Sequence, residues 1–241
     1  MLDLAAAALG RALYLSAEDF AEHRDLLCGV WGYRAIGAMA GSASPSARRW
    51  VLVRPGIERP LEGLAHRRRL VLVFDLNGVL GAKWFDPSRR LRCPRHCHVR
   101  SGPVAFFLRP GASKLLRICD SAGHEVWIWS TMQRETVSAL TRALAPWLPP
   151  GRVLCGSDCA SPDTKDLRRV WADSGIAGPD VASRTLLMDD DDAKGRLQPA
   201  CVRQVPQFAP EGPFDTEAVV DRGALWMLAQ VARAQLGGGS P

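Results

Sequence analysis

The sequence predicts an α/β fold built on a doubly wound parallel sheet with helices on both faces and no large cap domain. Two patterns carry this expectation. Short runs rich in β-branched and aromatic residues, Val71–Phe74, Glu125–Trp129 and Thr185–Met188, read as strands buried on both faces. Helical stretches alternate with them, and each apolar run ends in a polar cluster: Asp75 after the first, Ser130 and Thr131 after the second, Asp189 to Asp192 after the third. Open sheets of this kind bind ligands at the carboxyl ends of their strands.

The bulk composition limits the function classes. A chain of 241 residues with 47% hydrophobic and 23% charged residues suits one good-sized soluble domain plus an appendage. No apolar run reaches the roughly 18 residues that a membrane-spanning helix needs. The formal charge of +6 fits an anionic partner. Only 7% of residues are aromatic, too few for the basic-aromatic interleaving of an RNA module, so direct nucleic-acid binding is not expected. Seven cysteines form an odd set without framework spacing, and no signal peptide is visible, which points to a reducing intracellular compartment, cytoplasm or nucleus. Asp3, Glu18, Asp19, Glu22 and Asp25 make the alanine-rich start too acidic for an organellar transit peptide, so a mitochondrial address is the less favoured one.

Taken in order, residues 1–65 read as an N-terminal helical appendage and linker. Ser16 with Glu18 and Asp19 offers a helix start, running to about Leu27, and Gly41 to Ser46 is a flexible link. Residues 66–210 hold the main domain. His66 to Arg69 is a solvated strand entry, and Gly78 turns the first strand into a loop. From Gly81 to Gly102 the pattern loses periodicity and becomes basic. Cys93, His96, Cys97 and His98 there could ligate zinc, but ligands so dense cannot all turn towards one tetrahedral ion, and a basic loop beside the site is the better reading.

Phe106 to Leu108 is a short strand, and Arg109-Pro110-Gly111 turns into a helix carrying Leu115, Leu116 and Ile118 that ends at Gly123. A helix over Glu135 to Leu144 follows the second buried strand. Val153 to Cys155 is a further short strand, and Thr164-Lys165-Asp166-Leu167 opens another helix through Val170 and Trp171. Residues 211–236 form a C-terminal helix striped by Val220, Ala224, Met227 and Val231, and residues 237–241 a disordered tail.

The polar groups at the strand ends form a set suited to phosphate chemistry. A carboxylate such as Asp75 can attack phosphorus and split one hard displacement into two easier ones. Carboxylates from two strand ends can hold Mg²⁺, which prefers oxygen ligands. The Ser130 hydroxyl and the Lys165 ammonium can hold phosphoryl oxygens as charge develops. Each residue alone is ordinary: Ser130 a strand-end cap, Lys165 a solvated helix residue, Asp189 to Asp192 an acidic turn. Their order along the strands makes chance agreement poor.

The segment Phe74-Asp75-Leu76-Asn77-Gly78-Val79-Leu80 resembles the first motif of the haloacid dehalogenase superfamily, Asp-x-Asp-x-Thr/Val. Arg109-Pro110-Gly111, Trp129-Ser130-Thr131, Thr164-Lys165-Asp166-Leu167, Leu187-Met188-Asp189-Asp190 and the close from Gln198-Pro199 to Val205-Pro206-Gln207-Phe208 resemble its RNA polymerase II C-terminal-domain phosphatase branch, the NLI-interacting-factor-like family. The resemblance covers roughly residues 70 to 209. It implies a Rossmann-like core, Mg²⁺ dependence, and phosphoserine or phosphothreonine in a protein segment as substrate. Carried over by position, Asp75 is the nucleophile and a metal ligand. Ser130, Thr131, Lys165 and Arg109 bind substrate, Lys165 also pairing with the nucleophile. Asp189 and Asp190 complete the metal site with the main-chain carbonyl of Asn77.

Asn77 departs from the pattern, as it does in plant and fungal members that this chain resembles. The family's aspartate there protonates the leaving oxygen and activates water, which an amide cannot do. Asp191 and the loop histidines are the candidates to replace it. Two readings follow. One is a phosphoprotein phosphatase acting through an aspartyl-phosphate; the other is a phosphatase-like binding module, resembling the protein-import translocase subunit of this fold. A small-molecule phosphatase of the superfamily would need a larger cap than Gly81 to Gly102 allows.

Overall fold

The computed structural model describes residues 12–16, 34–39, 49–53, 68–85, 99–101, 104–176, 178–209 and 222–235. The chain divides into two compact units, Arg69–Phe214, and Met1–Arg68 together with Asp215–Pro241. In the latter unit, β1 (Ala12–Ser16), β2 (Arg34–Met39) and β3 (Arg49–Val53) pair antiparallel in the order β1-β3-β2. The described parts of residues 1–65, read from sequence as a helical appendage and linker, are these strands. The particular helix expected after Ser16 and the link at Gly41 to Ser46 lie outside the described residues.

The larger unit is organised around β4 (Val71–Phe74), all four of whose residues are fully buried. The chain then enters a small antiparallel sheet of β5 (Gly81–Phe85), β6 (Val99–Ser101) and β7 (Val104–Leu108), with β7 in the centre. Basic composition hid β5 and β6 from the periodicity, which read this region as loop. The cluster at Cys93, His96, Cys97 and His98 lies outside the described residues.

Helix α1 (Ala112–Ser121) follows, burying Leu115, Leu116 and Ile118 and ending before Gly123 as expected. Then come β8 (Glu125–Trp129), α2 (Arg134–Leu144) and β9 (Val153–Leu154). Helix α3 (Arg168–Asp173), β10 (Thr185–Asp189) and β11 (Val202–Gln204) complete the unit.

Five strands form one wholly parallel sheet in the order β11-β10-β4-β8-β9. The chain winds outward from β4 through β8 to β9, then returns to the other side of β4 through β10. That reversal opens a crevice at the carboxyl ends of β4 and β10. Alternation within the strands sends Val71, Val73, Trp127, Trp129 and Leu187 to one face, where Leu167 and Val170 from the α3 segment cover them. The expected doubly wound α/β fold is thus present. The short edge strand β11 had no apolar run to announce it.

Helix α4 (Arg222–Gln235) belongs with the smaller unit and buries Ala224, Met227 and Val231, three of the four stripe residues expected; Val220 is outside the described residues. Among the described residues no helix is long and apolar enough to cross a membrane. Cys119, Cys155, Cys159 and Cys201 are free thiols.

At the opposite end of the sheet from the crevice, His124 is buried and its Nδ1 accepts the Leu70 amide at 3.2 Å. Burial, helped by the Arg69 charge, lowers its pKa from 6.5 to about 4. The fold therefore favours the neutral ring. Stability from this residue is complete above about pH 6.5 and is lost as the pH falls from there towards about 4. Urea denaturation is expected to show wild type losing about 2 kcal/mol more than His124→Gln between about pH 7 and about pH 5. Parallel loss in both would show that His124 is not responsible.

Candidate active site

The end of β4 sets the site. One residue past the strand, the Asp75 amide still donates to the Met188 carbonyl of β10 at 2.9 Å, which carries its carboxylate into the crevice only 1% exposed. The chain then turns, with the Leu80 and Gly81 amides both donating to the Leu76 carbonyl, at 3.1 and 2.9 Å. Gly78 sits in this turn at φ 85, and any Cβ there would run into the Asp190 carboxylate. Glycine is required twice over, for conformation and for clearance.

The Lys165 Nζ donates to Asp75 Oδ1 at 2.7 Å and to Asp189 Oδ2 at 2.6 Å, with the lysine fully buried. A buried ammonium is tolerable here because two carboxylates face it. The sequence placed Lys165 at a helix start; it stands instead on the loop ahead of α3, its amide bonded to the Lys194 carbonyl at 2.8 Å.

Lys194 is the residue that the sequence reading missed. Its Nζ lies 3.0 Å from Asp189 Oδ1, 3.5 Å from Asp190 Oδ1 and 3.7 Å from Asp75 Oδ2. It rides on a 3-10 turn, Asp192–Gly195, capped by the Asp191 side chain accepting the Ala193 amide at 3.1 Å. Asp191 is thus occupied as a cap. The available signal for Lys194 was its i,i+4 spacing from Asp190.

Electrostatics follow from this packing. Burial raises the Asp75 carboxyl, against the pull of Lys165. Asp189 meets the same burial penalty, but Lys165 and Lys194 outweigh it and hold the group below the ordinary range. Half-buried Asp190 is raised, by desolvation and by its neighbour Asp189, with Lys194 opposing. Lys194 is raised despite its partial burial, because Asp75 and Asp189 stabilise its charge.

Ser130 follows β8 and is 1% exposed, its Oγ accepting the Met132 amide at 3.4 Å. Thr131 is half-buried, and its carbonyl lies close enough to Gly156 to exclude a side chain there. Arg109, expected to bind substrate, is tied to two main-chain carbonyls. It is 2% exposed, and its Nη2 donates to the carbonyls of Gly78 and Pro206 at 3.1 and 2.7 Å, over the Phe208 ring. Those bonds hold the Asp75 loop to the end of the domain. Half-buried Asn77 uses its Oδ1 to accept the Lys83 amide at 2.8 Å.

Asp75, Asp189 and Asp190 can each turn an oxygen to within 4.8 Å of the others, a cluster able to hold a metal ion. Hard carboxylate oxygens suit Mg²⁺. The donor set therefore fits the expected cofactor.

Comparison with solved structures gives a likeness to Fcp1, described as an essential RNA polymerase II CTD phosphatase, over 71% of this chain and 67% of that one, at 16% identity and TM-score 0.49. Fission yeast Fcp1 solved with beryllium fluoride is similar over 70% of this chain at 20% identity and TM-score 0.46. The present chain spans about half of the fission yeast one, 51%. No curated protein matches. Residues 70–225 match the family described as NLI interacting factor-like phosphatase. With that match spanning most of its length, the chain belongs to the NLI interacting factor-like phosphatase family.

Proposed function

We propose that this chain is a Mg²⁺-dependent protein serine/threonine phosphatase acting through an aspartyl-phosphate on Asp75. The observation that carries the reading is a single buried carboxylate at the end of β4, held by Lys165 and flanked by Asp189 and Asp190. Lys165 occupies Oδ1 at 2.7 Å, which leaves Oδ2 to attack phosphorus. The Asp75–phosphorus bond forms as the bond to the seryl or threonyl oxygen breaks, and that oxygen takes its proton from solvent. Water then attacks phosphorus, the bond to Asp75 breaks, and phosphate leaves with the carboxylate restored. Ser130, Thr131 and Lys165 bind the phosphoryl oxygens through this sequence. Asp75, Asp189, Asp190 and the Asn77 carbonyl would hold Mg²⁺, which shields phosphate charge when bound. The insert after β4 is a three-stranded sheet rather than a large cap among the described residues, which favours a protein segment over an enclosed metabolite.

Asn77 favours the second reading, a phosphatase-like module with little turnover. Its amide cannot give or take the proton that the leaving oxygen and the water require. Turnover of a phosphoserine peptide with Mg²⁺ is expected in wild type, and Asn77→Asp is expected to raise it by about 10²–10⁴-fold. Activity in Asn77→Asp alone would make the natural chain a binder. Inactivity of both, with metal bound, would sink the phosphatase reading.

A further inference from the structure

Three carboxylates and two ammoniums meet in one crevice, and the two lysines have unequal surroundings. Lys165 is fully enclosed between Asp75 and Asp189. Lys194 keeps 15% of its side chain exposed and reaches all three carboxylates that form the candidate metal cluster. Its turn is held down tightly: Gly195, the next residue, packs so closely on Val202 and Leu187 that a Cβ would collide. The Lys194 carbonyl is fixed by the Lys165 amide at 2.8 Å. The backbone is anchored while the side chain, near the rim, can leave. A tethered ammonium among three carboxylates supplies the same electrostatic service as a bound cation and repels a second one.

We infer that Lys194 is a resident counter-cation of the metal site, exchanging with the divalent ion for Asp189 and Asp190. Metal entry and withdrawal of the Lys194 ammonium are then one event. The residue keeps the metal-free carboxylate cluster stable and weakens metal affinity. The inference rests on the metal-site part of the proposed function, but not on turnover.

The test is titration of the full chain with Mn²⁺, followed by electron paramagnetic resonance, without phosphate or substrate. Lys194→Met is expected to bind about ten-fold more tightly than wild type, because the competing charge is gone. Lys194→Gln, which keeps a polar side chain without charge, is expected to do the same. Lys194→Arg is expected to stay near wild type. Thermal melting supplies the second readout: metal-free Lys194→Met melts below wild type, and saturating Mn²⁺ closes that gap. Adding Asp189→Asn should abolish the tight binding, placing it in this site. Equal or weaker affinity in folded Lys194→Met and Lys194→Gln overturns the inference, as does a melting gap that metal leaves unchanged. Absence of Mn²⁺ binding in every variant overturns it too. A chain that binds as expected but hydrolyses nothing would refute the phosphatase reading alone.

Discussion

Asp75→Asn is expected to lower turnover of a phosphoserine peptide by at least about 10³-fold while leaving the chain folded. The amide has the carboxylate's size but does not attack phosphorus. Folding survives because Lys165 keeps its 2.6 Å bond to Asp189, so no buried ammonium is left bare. Acid-quenched wild type, mixed with substrate and Mg²⁺, should carry a hydroxylamine-labile phosphoryl group that the variant lacks. Retention of more than about a tenth of the activity would remove Asp75 from the nucleophile's role.

The largest effect on stability is expected at Lys165. In Lys165→Met, Asp75 and Asp189 remain buried without the ammonium that bridges them at 2.7 and 2.6 Å. Lys194 stays 3.0 Å from Asp189 and 3.7 Å from Asp75 and answers only part of that charge. Breaking a buried pair in this way costs about 3–5 kcal/mol, measurable by urea denaturation. Asp75→Asn in the same background should recover part of the loss, since the less well compensated of the two charges is gone. A double-mutant cycle measures that coupling. A change in Lys165→Met below about 1 kcal/mol would show that the pair contributes no net stability.

The central strands were legible because burial on both faces writes itself into a strand as an unbroken apolar run. The boundaries of Glu125–Trp129 agree with the structure, and Thr185–Met188 falls short by only Asp189. The acidic ends of Val71–Phe74 and Thr185–Met188 were legible for the same reason, since a charge closing an apolar run is conspicuous. Arg34–Met39 was not: its glycine and alanines are poor strand formers, and pairing with Arg49–Val53 supplies what local propensity lacks. Lys194 was passed over because a lysine on a short polar turn looks like any solvated lysine until the turn is folded against β10. The tie from Arg109 to the Pro206 carbonyl was not legible because its two ends lie 97 residues apart.

The Gly78 carbonyl accepts twice, from Arg109 Nη2 at 3.1 Å and from the Phe208 amide at 2.7 Å. This has a consequence for the order of assembly during synthesis. The loop bearing Asp75 is made early, but both of its clasps depend on a segment that leaves the ribosome much later, since Arg109 itself is braced on Pro206. In a nascent chain stopped short of Phe208 the Asp75 loop stays unlatched. The candidate site is thus completed late, as the closing segment docks.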